Sequence, residues 1–319
     1  MIQAILDDIQ ANYGLSCKQI MPIQGGWLNK LWKASTNAGE IVIKQYSNQR
    51  FSCAKLSDIE AALKRQCVLY ESGLACPKIF LLNGRAIRML DDTTAYTVMQ
   101  FCRGKNASAH SITAAQMQSL GSACAHMHRA FSALQQKAVK GYPINHAKLL
   151  TSLHNNLSMH EATLSHVNSD MYHDSLIMHK SILHGLTAAF FDRFPLGIAH
   201  EDFTSDNILF EENSAAIIDF DRNQYSYISH DIGRAILSFA LMDNKLNLYN
   251  VHTFVKGYAQ HIPLNIEQVA DALRLTWCIE VPWWIQPAYF TMPACKATRF
   301  RDEILWVSRH YFELNDMLM

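Results

Sequence analysis

The sequence lacks the features that mark disulfide-rich, zinc-binding or nucleic-acid-binding proteins. Its eight cysteines include no C-x-x-C pair and no spacing typical of zinc, so we expect reduced thiols. Its fifteen histidines form no H-E-x-x-H pair. The formal net charge is zero, which argues against a basic nucleic-acid surface and a polybasic membrane patch. We therefore expect neither a nucleic-acid partner nor a membrane partner.

Long hydrophobic runs are also absent. No uncharged apolar stretch approaches the roughly 20 residues that a membrane-spanning helix needs. The first eight residues carry early acids instead of a basic segment, so they predict the start of a helix and not a signal peptide. These absences lead us to expect a cytoplasmic protein, either a monomer or a homodimer.

What the chain does contain is enough apolar material for two domains. It has 319 residues, of which 49% are hydrophobic. This length exceeds what a single small hydrophobic core usually organises. Residues 27–34, 40–46, 86–90 and 95–101 are β-compatible and flank turn signals, and residues 56–72 have helical periodicity. After Gly104 the pattern is helical, interrupted by a short hairpin over residues 207–220. We therefore predict an α+β protein with a β-rich domain over 1–101 and a mainly helical domain over 102–319.

The segment from His200 to Asn207 fits H-x-D-x-x-x-x-N, and Asp219 follows at the end of a hydrophobic strand. Phosphoryl transfer needs a group that accepts the hydroxyl proton and metal ions that neutralise the phosphates. Asp202 suits the first task, whereas Asn207 and Asp219 offer the hard oxygen ligands that Mg²⁺ prefers. The predicted hairpin puts Asn207 and Asp219 at the same open end of two paired strands. This pattern predicts a Mg-nucleotide site.

These motifs resemble those of the aminoglycoside phosphotransferase and choline kinase superfamily, within the protein-kinase-like fold. Residues 41–44 resemble the strand whose lysine, here Lys44, holds the α- and β-phosphates. The resemblance makes Glu60 the partner that orients Lys44. Gly25 and Gly26 stand where the family has its nucleotide-covering turn. The resemblance implies a bilobal fold with a small β-rich N-lobe and a larger, mainly helical C-lobe.

The resemblance also covers the strand that leads to the family's hinge, at residues 96–101. It implies that the adenine of ATP, or the base of GTP, binds to the backbone of Gln100, Phe101 and Cys102. Within the superfamily, the motifs look most similar to CotS-like and homoserine-kinase-like members. Glu201 is a departure, because Gly or Asn is common at its position.

The expected activity is an ATP- or GTP-dependent kinase that phosphorylates a hydroxyl group of a small molecule. Two alternatives remain: a catalytically silent kinase-fold binding protein, and a protein Ser/Thr kinase. The short spacing between Asp221 and Asp231 leaves no recognisable activation segment, which disfavours a protein kinase. Trp283, Trp284 and Tyr289 either stack against a ligand or pack in the core.

Overall fold

The computed structural model describes residues 2–23, 29–47, 52–138, 144–164 and 167–319. They divide into two compact units. The first comprises Met1–Asn106 and Asn207–Asn223, and the second comprises Ala107–Asp206 and Gln224–Met319. A β-rich amino-terminal part and a mainly helical remainder confirm the predicted α+β class. The predicted boundary between residues 101 and 102 assigns residues 207–223 to the second domain, whereas the structure groups them with the first unit.

The first unit contains a five-stranded antiparallel sheet with the order β1-β2-β3-β5-β4. The strands are β1 (Cys17–Ile23), β2 (Lys30–Thr36), β3 (Gly39–Tyr46), β4 (Arg88–Met89) and β5 (Ala95–Gln100). Ile43 and Val98 face each other in the β3–β5 register and are fully buried, with Ala34 beside them. Helix α1 (Ile2–Tyr13) covers this face of the sheet with Ile5 and Ile9. Apolar residues of α1, β2, β3 and β5 thus form one continuous core.

Helix α2 (Cys53–Glu71) contributes to a second hydrophobic core of this unit. Ser52 caps its amino terminus by accepting a hydrogen bond from the Lys55 backbone N–H. Its Ile59 and Leu63 are buried with Tyr46. The 56–72 periodicity therefore predicted the helix, with its start three residues too late and its end one residue too late.

A hairpin completes the first unit, formed by β7 (Ile208–Glu211) and β8 (Ser214–Ile217). The connector after β5 runs beside β7, because Lys105 and Phe210 exchange two backbone hydrogen bonds of 3.0 and 2.9 Å. Gly104 allows this approach: a Cβ atom there would lie 2.9 Å from the carbonyl carbon of Phe210. Its φ of 122° is also one that residues with side chains rarely adopt.

The second unit is mainly helical. Its strands β6 (Leu196–Ala199) and β9 (Gln224–Tyr227) pair antiparallel, and so do β10 (Leu241–Met242) and β11 (Lys245–Leu246). The helices are α3 (Ala114–Ala138), α4 (His146–Thr163), α5 (Asp170–Gly185), α6 (Ala188–Phe191), α7 (Ile228–Ala240), α8 (Leu248–Tyr258), α9 (Ile266–Trp284), α10 (Lys296–His310) and α11 (Leu314–Leu318).

Helices α3 and α8 cross at two glycines. A Cβ atom on Gly121 would lie 2.1 Å from the Phe254 carbonyl oxygen, and one on Gly257 would lie 2.0 Å from the Gln118 carbonyl oxygen. Helix α7 is buried along almost its whole length and packs against α9. A helix this enclosed can carry polar side chains only if they are paired, and His230, Asp231 and Arg234 of α7 are all paired, as described below. Across the described ranges, no helix combines the length and apolar character needed to cross a membrane.

Candidate active-site residues

In the first unit, Lys44 lies among carboxylates. Its ammonium nitrogen is 2.7 Å from Asp219 Oδ1 and 2.8 Å from Asp221 Oδ2. The Tyr46 hydroxyl reaches the other oxygen of Asp221 at 3.4 Å. Lys44 stands in the middle of the sheet and its side chain is only 6% exposed. The strand therefore presents a fixed positive charge to two acids that follow the hairpin.

Burial opposes the charged form of Lys44, but attraction by Asp219 and Asp221 outweighs it and raises the lysine's pKa. Burial raises the pKa of Asp221, although Lys44 opposes this. Asp219 is different, because 44% of its side chain is exposed. Asp219 thus has carboxylate surface that a ligand can reach, whereas the Asp221 carboxylate is buried against Lys44 and Tyr46.

The segment that carries these acids is held by residues that the sequence patterns did not reveal. Arg65 of α2 donates to the side chain and the carbonyl of Asn223, both at 2.6 Å. Asn223 in turn donates to the carbonyl oxygens of Ala62 and Phe220, at 3.0 and 2.6 Å. Since Asn223 is almost fully buried, this contact fixes the short 3-10 helix Phe220–Arg222 against α2. The run of four polar residues after Phe220 is the one sequence signal that indicated it.

Asn207 and Asp219 lie at the same open end of the β7–β8 hairpin, as the sequence predicted. Ile208 pairs with Ile217, and the Ile218 N–H donates to the Asn207 carbonyl at 2.9 Å. Asp219 takes a left-handed conformation, with φ 61° and ψ 59°. It therefore does not continue strand β8, which ends at Ile217.

An amide oxygen and a half-exposed carboxylate at one end of a hairpin fit Mg²⁺, which prefers hard oxygen ligands. Among the described residues, no group of three or more His, Cys, Asp or Glu side chains could hold a metal ion by itself. A protein site with few ligands is typical of Mg²⁺ bound together with substrate phosphates. The donor set of Asn207 and Asp219 therefore suits a metal that arrives with a nucleotide.

Glu60 requires a correction. We expected its carboxylate to pair with Lys44, but it accepts hydrogen bonds from the backbone N–H groups of Ala86, at 3.1 Å, and Ile87, at 2.7 Å. Lys64 and Arg85 lie 3.2 and 3.4 Å from the same carboxylate. The physical reason is that two buried N–H groups before β4 need acceptors, and Glu60 supplies both. Lys44 takes its partners from the 219–221 segment instead.

The expected adenine-binding segment is ordered by protein contacts. The Gln100 N–H donates to the Lys78 carbonyl at 2.8 Å, and the Phe101 N–H donates to the Glu40 carbonyl at 3.0 Å. A base bound here has to use other groups of the segment, which include the N–H of Cys102. Burial raises the pKa of the Cys102 thiol to about 11, so the thiol is neutral at pH 7. Gly25 and Gly26, the other expected nucleotide contacts, lie outside the described residues.

In the second unit, Asp231 anchors the start of the loop over residues 200–206, called here the catalytic loop because it carries the predicted proton acceptor, Asp202. Asp231 is fully buried and accepts hydrogen bonds from the backbone N–H groups of His200, at 2.7 Å, and Glu201, at 3.1 Å. The His128 ring nitrogen Nε2 lies 3.0 Å from its carboxylate. Burial opposes ionisation of Asp231, yet the hydrogen bond and charge of His128, together with His200 and its backbone N–H, hold its pKa below the usual range. Asp202, in the middle of the loop, is half-buried.

Glu201 has a φ of 66°, in the left-handed region that Gly and Asn enter most readily. This conformation explains why Gly or Asn would suit the position. Gln224 donates to the Glu201 carboxylate at 3.1 Å, and the His230 ring lies 3.8 Å from its other oxygen. Glu201, which departs from the family pattern, therefore has its own polar partners in Gln224 and His230.

Trp284 and Trp283 have different surroundings. Trp284 stacks at 4.7 Å between ring centroids on Phe300 and donates its indole N–H to Glu280 at 2.8 Å. Trp283 is 67% exposed. Core packing thus accounts for Trp284, and Trp283 is the aromatic side chain of this pair that faces solvent.

Comparison with known proteins identifies the family of the chain. The sequence matches the phosphotransferase enzyme family over residues 19–259. The chain belongs to this family. No curated protein sequence matches it.

Solved structures show the same fold. An amicoumacin kinase in complex with AMP-PNP and Ca²⁺ has a TM-score of 0.65 at 15% identity, covering 98% of this chain and 94% of that one. A microcompartment-associated aminopropanol kinase has a TM-score of 0.58 at 13% identity, covering 99% of each chain. A choline kinase from Cryptosporidium parvum Iowa II has a TM-score of 0.58 at 13% identity, covering 100% and 96%. The predicted superfamily and kinase-like fold are confirmed, and this phosphotransferase is similar to small-molecule kinases. The nearer likeness to CotS-like and homoserine-kinase-like members stays a prediction.

Proposed function

We propose that this phosphotransferase moves the γ-phosphoryl group of Mg-bound ATP to a hydroxyl group of a small molecule. The observation that carries the proposal is the cluster of Lys44, Asp219 and Asp221 beside Asn207, at one end of the hairpin. A fixed cation next to hard oxygen donors is what nucleotide phosphates with their metal require. The amicoumacin kinase of similar fold was solved with a nucleotide analogue, which supports ATP over GTP as the donor to test first.

In this proposal each residue has one task. Lys44 contacts the phosphates of the nucleotide, and Asn207 and Asp219 hold Mg²⁺, which neutralises phosphate charge when bound. Asp202 accepts the proton of the acceptor hydroxyl while the hydroxyl oxygen forms its bond to the γ-phosphorus. The bond from that phosphorus to the bridging oxygen breaks, and ADP leaves. Gln100, Phe101 and Cys102 contact the base, and Glu60 supports the sheet near β4 rather than contacting Lys44.

Asp202→Asn is the direct test. We expect transfer to fall by roughly 10³-fold or more, because loss of the proton acceptor affects the chemical step. ADP release is measured over a panel of small alcohols and amino alcohols, and Mg-ATP binding is followed by thermal shift. The matched control is Asp174→Asn, an exposed aspartate on α5.

The outcomes separate the alternatives. Full activity in Asp202→Asn contradicts the assigned proton acceptor. A nucleotide-induced shift with no transfer to any acceptor favours a silent binding protein, and phosphate incorporated into protein alone favours a protein kinase. The expected monomer or homodimer state and the cytoplasmic location remain predictions.

A further inference from the structure

Both ends of the catalytic loop carry charged side chains that reach the helices of the second unit. At one end, the two ring nitrogens of His230 lie 3.8 Å from Glu201 Oε1 and 2.9 Å from Glu280 Oε1. At the other end, Asp206 Oδ2 lies 2.5 Å from Lys296 Nζ and 3.1 Å from Arg299 Nη2. Arg299 also donates to the Ser205 hydroxyl at 3.3 Å.

Arg234 connects these two groups of contacts. Its Nη1 lies 3.3 Å from Glu280, and its Nη2 lies 2.6 Å from Glu303. Glu303 also faces Arg299, with 3.7 Å between the carboxylate and Nε. The result is a continuous series of ion pairs that leaves the loop at residue 201 and returns to it at residue 206. We call this series the charge chain: Glu201, His230, Glu280, Arg234, Glu303, Arg299 and Asp206.

The charges alternate along the whole series. Burial opposes the charged form of His230, but Glu201 and Glu280 outweigh it and raise the imidazole pKa to about 10, so the ring is cationic at pH 7. Burial opposes the charge of Arg234 as well, and Glu280 and Glu303 outweigh it. Negative and positive groups therefore alternate along the series, although Glu280 also repels Glu303 and Asp231 repels Glu201.

Such an arrangement is a poor source of stability by itself, because burying charged groups costs desolvation free energy. Buried ion pairs lose hydration that their mutual attraction only partly restores, and apolar side chains of similar volume often serve stability better. Arg234 is 1% exposed and Glu303 6% exposed, so both have lost nearly all hydration. What the charge chain supplies, and apolar packing does not, is a defined position for both ends of one loop. Asp202 lies inside that loop and also interacts electrostatically with Arg234.

We propose that Arg234 and Arg299 are positioning residues, which hold the catalytic loop at both ends through the charge chain and so keep Asp202 in its working place. This inference deepens the proposed function and rests on it for the role of Asp202. It assigns no contact between either arginine and the substrate.

Arg299 offers the cleaner test, because 39% of its side chain is exposed, whereas Arg234 is almost fully buried. We expect Arg299→Gln to lower kcat roughly 10- to 100-fold, since a displacement of about 1 Å at a reacting group has effects of that size. The KM for Mg-ATP should stay within about twofold, because the proposed nucleotide contacts lie in the other unit. Arg299→Lys, which keeps the charge, should recover part of the loss. The matched control on the same helix is Arg309→Gln, with kcat unchanged.

For the buried arginine, the double variant Arg234→Gln/Glu303→Gln removes one charge of each sign and avoids a bare buried carboxylate. Its control is Arg274→Gln, which loses an ion pair to Asp271 outside the charge chain. We expect the double variant to reproduce the fall in kcat with an unchanged KM for Mg-ATP, while Arg274→Gln affects only the melting temperature.

Hydrogen exchange over residues 200–206 provides a readout that needs no acceptor. We expect faster exchange in both charge-chain variants and not in the two controls. Wild-type exchange rates in Arg299→Gln, or a kcat equal to that of Arg309→Gln, would overturn the proposal. If the wild-type protein transfers phosphate to no acceptor, the proposed function fails, and the exchange measurement still decides whether the charge chain orders the loop.

Discussion

His230 makes the stability of this phosphotransferase depend on pH in a defined window. Its pKa is 6.5 in an unfolded chain and about 10 in the folded protein. A group whose pKa rises on folding contributes stability that is complete below the unfolded value and lost as the pH passes through the folded value. The contribution of His230 is therefore complete below pH 6.5 and decreases up to about pH 10.

The contribution of His230 to the free energy of unfolding follows from the size of its pKa shift. At about 1.36 kcal/mol per pKa unit, the shift of His230 corresponds to ~5 kcal/mol at most, because the ring is only 4% exposed and little screened by water. Between pH 6.5 and 9 the folded state holds one proton that the unfolded state has released. Its free energy of unfolding should therefore fall by about 1.4 kcal/mol per pH unit from this residue.

Urea unfolding at half-unit steps from pH 6.0 to 9.0 measures the slope, with His230→Gln as the comparison. Buried thiols and phenols also lose stability at alkaline pH, because folding raises the pKa of groups such as Cys76, Cys278 and Tyr258. These contributions are the same in both proteins and cancel in the difference. We expect the stability difference between wild type and variant to shrink steadily as the pH rises. Parallel curves from pH 6.5 to 9.0 would refute the cationic state of His230.

Three further predictions concern the first unit and the helix crossing. Lys44→Met should weaken Mg-ATP binding roughly 10- to 100-fold in a thermal-shift titration, because one charged contact to phosphate is lost. Glu60→Gln should lower the free energy of unfolding by about 1–3 kcal/mol and leave the Mg-ATP affinity unchanged. A loss of affinity as large as that of Lys44→Met would instead support the predicted pairing of Glu60 with Lys44. Gly121→Ala should destabilise by about 1–3 kcal/mol in urea, since its Cβ would lie 2.1 Å from the Phe254 carbonyl oxygen, whereas Gly185→Ala, with open space around it, should be neutral or slightly stabilising.

The parts of this molecule that the sequence predicted well are those encoded by neighbouring residues. The β-compatible composition of residues 40–46 predicted β3, and the turn after Phe210 predicted the hairpin that places Asn207 with Asp219. Each depends on a local period or a local turn, which a single sequence displays directly. The same holds for α2, whose cap and periodicity lie within one segment.

The partnership of Lys44 was predicted wrongly because it depends on contacts between distant parts of the chain. Helical periodicity places Glu60 on α2, but it does not show which buried groups before β4 lack acceptors. The need of the Ala86 and Ile87 N–H groups decides where the carboxylate goes. The pairing of Asp221 with Lys44 was not predicted for the same reason, because the two residues are far apart in the sequence.

The charge chain was out of reach for a related reason. Its members come from the catalytic loop and from α7, α9 and α10, and no motif or fixed spacing links the residues of the loop to those of the helices. Seen alone, each of them is an ordinary surface residue, and only burial shows that they must be paired. Arg234 is the extreme case, because a fully buried arginine is compatible with folding only where two carboxylates meet it.

Glu201 brings these arguments together. A non-glycine residue at φ 66° carries strain of order 1 kcal/mol. Replacing Glu201 with glycine removes that strain and also removes the anion that His230 faces. If the ion pair is the reason for the departure, Glu201→Gly should be less stable than wild type below pH 6.5 despite its relaxed backbone. The disadvantage should decrease as the pH approaches 10, where His230 no longer carries charge. A variant that is more stable than wild type at every pH would show instead that the backbone strain is uncompensated.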